Sequence, residues 1–175
     1  MTVRAGEDFA LGRAVADVEA LAAAPLPAGG PVTAEGDPAT GEWAATTGDG
    51  FRVVPLWESG SFVGVDGAAW DEAQEAGDAR LAALTGELDR RWGGHHEVPV
   101  HGALLLHQAG EPVPELFAAL LDEDCTGNLL VWGPVTAGRR WIAVGVGHSD
   151  GDAPLIMAAA VSDRPIIAPD PPAWL

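Results

Sequence analysis

Lysine is missing from this chain altogether, and so is tyrosine. Without an ε-amine there is no Schiff-base chemistry, no lysine general base and no Walker-type phosphate loop. Phenolic acids and bases are excluded in the same way. The basic residues are nine arginines (Arg4, Arg13, Arg52, Arg80, Arg90, Arg91, Arg139, Arg140 and Arg164) against 26 acidic residues, a formal net charge of −17 over 175 residues. A phosphate backbone needs a clustered basic footprint, so nucleic acid is not an expected ligand, and an anionic membrane surface is disfavoured for the same reason. Cysteine is nearly absent too. Cys125 stands alone, which excludes an intramolecular disulfide and a cysteine zinc cluster. No run reaches the roughly 18 apolar residues of a membrane helix. The interrupted, acidic N-terminal stretch does not fit a secretory signal, and the expected location is cytoplasmic.

What is present is enough for one folded domain: 47% of the residues are apolar. Residues 1–24 carry an amphipathic helix from about residue 6, with Leu11, Val15, Val18 and Ala22 at helical spacing. Residues 25–42, rich in proline and glycine and without periodicity, read as a linker or mobile loop. Residues 43–167 read as a single globular domain, and residues 168–175 as a loose proline-rich tail. Inside the domain, short runs at Trp43, at 51–57 and at 61–65 are bounded by hairpin punctuation. A long helix follows, its stripe formed by Trp70, Ala73, Gly77, Leu81, Leu84, Leu88 and Trp92 and its end marked by Gly93 and Gly94. After a second, shorter helix with Leu116, Phe117, Leu120 and Leu121 inward, three apolar runs separated by turn signals read as an antiparallel meander. The fold expected is α+β: a mixed or antiparallel sheet ending in a three-stranded meander, packed against two or three helices.

Four of the five histidines fall in GGHHEVPVHGALLLHQAG, residues 93–110. Read as a strand, the stretch puts Val98, Val100, Leu104 and Leu106 on one face and His95, Glu97, His101 and His107 on the other. Neighbouring members of the histidine set then stand roughly 20 Å apart, too far to share one ion from a regular strand. A metal site would need a bend at Pro99 or Gly102, or one histidine here with ligands from elsewhere, such as His148, Asp150 and Asp152 of GHSDGDAP. The same loop has a plainer reading, because Asp150-Gly151 between apolar runs is a hairpin signal. Cys125 follows three carboxylates, which raise a thiol pKa rather than activate it. No Gly-x-Ser-x-Gly elbow and no dinucleotide fingerprint occurs.

Seven tryptophans supply the bulk that tyrosine does not. Trp70, Trp92, Trp132 and Trp141 are expected in the core. Trp43 and Trp174, beside proline- and glycine-rich segments, are the interface candidates. Together these features favour a non-catalytic cytoplasmic domain whose acidic surface binds a basic protein partner, as an immunity protein, chaperone or regulator does, with no cofactor. The rival expectation is a small metal-assisted hydrolase using His101 or His107 with His148, Asp150 or Asp152 around a divalent metal. The oligomeric state is not encoded in any pattern found.

Overall fold

Seven strands form one sheet in the computed structural model, which describes residues 6–148 and 152–170. In chain order the elements are α1 (Leu11–Ala23), β1 (Thr33–Gly36), β2 (Trp43–Gly48), β3 (Phe51–Glu58), α2 (Gly67–Trp92), β4 (His96–Val98), α3 (His101–Gln108), α4 (Glu115–Asp122), β5 (Leu129–Val135), β6 (Arg140–Gly147) and β7 (Ile156–Ser162). The strands lie in the order β1-β2-β3-β7-β6-β5-β4, every pair antiparallel. The expected meander is β5-β6-β7. The last strand does not end the sheet but enters its centre beside β3, with Phe51 opposite Ser162 and Val53 opposite Ala160.

Both faces of the central strands are covered, which explains why their sequences are continuously apolar instead of alternating with polar residues. On β7, Met157, Ala159 and Val161 face one core, while Ala158 and Ala160 face the other. β6 repeats this division with Ile142 and Val144 against Ala143. The helices α1 and α2 cover the first face through Val15, Val18, Leu21, Leu84 and Leu88. α3 and α4 cover the second, where the small side chains of β6 and β7 leave room for Phe117 and Leu120.

Most of α2 follows its sequence pattern. Asp66 accepts the Ala69 N–H at 2.9 Å as the N-cap, Arg90 and Arg91 complement the dipole in the last turn, and Gly93 ends the helix at φ 85°. Arg91 reaches Glu87 on its own helix at 2.9 Å and Glu19 of α1 at 2.7 Å, joining the two helices. The N-terminal helix is thus docked on the domain, and it starts at Leu11 rather than near residue 6.

Three expectations require correction. First, the histidine stretch is not one strand: only His96–Val98 pair, and His101–Gln108 form α3. The apparent alternation ran on through Ala103 and Leu105, yet an unbroken Ala-Leu-Leu-Leu has helix formers and no β-branched residue. Helix α3 brings the number of helices among the described residues to four. Second, residues 61–65 make a turn, with Gly64 at φ 76° and the Val65 N–H donating to the Phe62 carbonyl at 3.0 Å. Third, the 25–42 segment is partly ordered into a strand, since Thr33–Gly36 pair with β2 although all four residues are exposed.

Candidate protein-binding surface

The arginines of the described residues are largely engaged within the chain. Arg13 lies 3.5 Å from Glu7, Arg52 4.0 Å from Glu35, and Arg164 2.6 Å from Asp49, while Arg90 and Arg91 share Glu87. The Arg80 guanidinium sits 4.4 Å above the Trp57 ring, and Arg140 donates to the Ala24 carbonyl at 2.9 Å. The N-terminal half of α2 has no such compensation. Asp71, Glu75 and Asp78 recur at i, i+4 and i+7 and so form a stripe, with Glu72 on its flank. All four are exposed, and none lies within salt-bridge distance of an arginine among the described residues.

An apolar knob adjoins this stripe. The turn leading into α2 buries Phe62, whose N–H donates to the Asp152 carbonyl at 3.3 Å, and leaves Val63 74% and Val65 42% exposed. Val63 is therefore held outward by a fixed neighbour.

A different set of carboxylates gathers on the opposite face, near the C-terminal end of α4. Glu58 is pushed above the usual carboxylate range by burial and then by the nearby charge of Glu42. Glu123 is raised by burial, Asp122 and Asp124. One oxygen of Glu42, Oε2, is buried with no hydrogen-bond partner. Beneath them, the Cys125 thiol is pushed far up by its burial and, less strongly, by Glu123, Asp124 and Glu58. A thiol held protonated in this way is a core group and not a nucleophile. Among the described residues, no three His, Cys, Asp or Glu side chains are disposed to hold a metal ion.

Because the folded-state pKa of Glu58 is raised, its stabilising contribution is complete below the ordinary carboxylate range and is lost as pH rises through the raised value. Glu58→Gln is neutral throughout. It is expected to stabilise the domain by about 0.5–1 kcal/mol at neutral pH, the scale of a like-charge cross-strand contact. The gain should vanish near pH 4, where the native carboxyl is itself protonated. Thermal melts at both values check this, and an equal gain at both would count against the electrostatic cause.

Of the residues proposed from the sequence, the histidines among the described residues lie apart. His101 and His107 are exposed on α3, six residues apart and so about 120° out of phase on the helix. His107 Nε2 lies 3.4 Å from Asp122 of α4. The His148 ring stands edge-on to Trp70 of α2 at 5.2 Å, on the other side of the sheet from α3 and α4. Asp152 supports the Phe62 turn through its carbonyl. Asp150 and Trp174 lie outside the described residues. Trp43 is half-buried against the α4 core and donates from Nε1 to Thr46 Oγ1 at 3.0 Å.

His95 belongs to a group that joins α2 to β5. Its Nδ1 and the indole Nε1 of Trp132 both meet Asp89 Oδ1 at 2.9 Å, and its ring lies 5.4 Å from that of Trp132. Trp92 completes the group edge-on to Trp132 at 6.3 Å. The sequence offered no signal for it, because Asp89 and Trp132 are 43 residues apart. The arrangement ties the end of α2 to β5 and the entry of β4. No helix among the described residues is long and apolar enough to cross a membrane. No protein-family model, curated protein or solved structure matches the chain.

Proposed function

We propose that this chain is a non-catalytic, cytoplasmic protein-binding domain whose partner is basic and docks on the exposed side of α2. The observation that carries this reading is the row of Asp71, Glu72, Glu75 and Asp78, which has no arginine within salt-bridge distance, while most arginines of the described residues are engaged elsewhere in ion pairs and packing contacts. The exposed Val63 and Val65 beside it supply the apolar contact that electrostatic steering alone does not. An immunity-, chaperone- or regulator-like role fits this chemistry.

The test begins with the complex isolated at low salt from the protein's own cells, its partner identified and association rates measured with purified components. Reversing Asp71, Glu72 and Glu75 to arginine is expected to slow association about tenfold or more at low salt. The difference should close as salt screens the field over about 10 Å and less. All three positions are exposed on one helix, so thermal stability is expected to stay close to that of the parent. A partner of acidic character, or association rates indifferent to both salt and charge reversal, would remove the proposal.

A further inference from the structure

A cleft of about 310 Å³ opens at the other end of the sheet and on the other face. Its floor is apolar, made by Phe51 of β3, Leu116 and Phe117 of α4, and Ile166. Its rim carries Asp49, Glu115 and Arg164, with Ile167 69% exposed. The Arg164 guanidinium is already held by Asp49 at 2.6 Å and flanked by Asp163 at 3.5 Å. The rim therefore has an excess of negative charge, and an anionic ligand is disfavoured.

Pro165, Ile166 and Ile167 line one wall without regular secondary structure, and Glu115, the first residue of α4, lines the cleft as well. A volume at the small end of ligand sites, about 300–1,000 Å³, suits one or two large side chains rather than a cofactor.

We infer that this cleft is a docking groove for a short extended peptide segment that places one large apolar side chain on the Phe51, Leu116, Phe117 and Ile166 floor and a neighbouring basic side chain against Asp49 and Glu115. The site is separate from the acidic side of α2 and stands or falls independently of the function proposed for it.

The experiment is an amide-resolved NMR titration of the full chain with three capped pentapeptides: Ala-Arg-Leu-Arg-Ala, the same peptide with alanine for leucine, and Ala-Glu-Leu-Glu-Ala. The first is expected to bind in the millimolar range and move the amides of Phe51, Leu116, Phe117, Ile166 and Ile167. The other two should bind at least fivefold more weakly. Glu115→Lys, at an exposed position, should weaken the first peptide by about fivefold while leaving the melting curve in place, and Ile167→Ser provides a second variant should the first disturb α4. Shifts confined to α2, equal binding of the glutamate peptide, or a cleft that answers to free indole but to none of the peptides would each overturn the inference.

Discussion

Gly127→Ala is expected to cost about 3 kcal/mol, the upper end of the overpacking range, and to lower the melting temperature by roughly 6–12 °C. A Cβ at this position would stand 1.8 Å from the Val146 carbonyl oxygen and 2.7 Å from its carbon. Both are main-chain atoms of β6, so no rotamer change relieves the clash and the entry to β5 has to move. The contact is tight from either side: a Cβ on Gly147 would meet the Gly127 nitrogen at 2.4 Å. Thr126 fixes the approach by donating from Oγ1 to the His148 carbonyl at 2.6 Å. Gly86→Ala is the contrasting measurement. It lies on the exposed side of α2 with nothing within 4 Å of the added carbon, and is expected to stabilise by about 0.5–1 kcal/mol through helix propensity. Similar melting temperatures for the two variants would show that the close approach at Gly127 is not under the constraint described.

The contrast between these glycines reflects what a sequence can and cannot carry. Helix α2 was legible because its signals are local: a 3.6-residue apolar stripe and Gly93 after it. The meander was legible for the same reason, through turn residues between apolar runs. Strand β1 was not, since its four residues bury nothing and are held by main-chain bonds to β2 that no side-chain pattern announces. The error at α3 came from a period-two coincidence in Val98, Val100, Leu104 and Leu106, when residue type at 103–106 favoured a helix.

The acidic surface divides in the same manner. Its existence follows from composition, but its location depends on which arginines are engaged, and that is decided by pairs such as Arg91 with Glu19 and Arg164 with Asp49, 72 and 115 residues apart. The histidines drew attention as a group. The fold separates His101 and His107 from His148, and sets His95 against an aspartate and a tryptophan that the stretch itself does not contain.

Asp89→Ala is accordingly expected to destabilise the domain by about 1–3 kcal/mol at neutral pH, because it leaves the indole N–H of Trp132 without an acceptor. The Asp89 side chain is itself 36% exposed, so water that enters on truncation offsets part of the loss and places the expected cost at the lower end of that range. Asp89→Asn keeps an oxygen in reach of the indole and should recover the Trp132 part of the loss, but not the part that depends on the ionised carboxylate. Combining Asp89→Ala with Trp132→Phe should cost less than the sum of the single changes, since the second removes the donor that the first orphans. The pH dependence separates this from a packing defect. The Asp89 carboxylate is held below its usual range by its hydrogen bond to His95 and, to a smaller degree, by that to Trp132. Its contribution is complete above the ordinary carboxylate range and is lost as pH falls through the lowered value, so the gap between parent and Asp89→Ala should narrow in acid. Denaturant unfolding followed by tryptophan fluorescence at neutral and acidic pH reads both effects. A gap that is constant with pH would assign the loss to packing, whereas a gap that narrows assigns it to an ionised carboxylate holding helix α2 to strand β5.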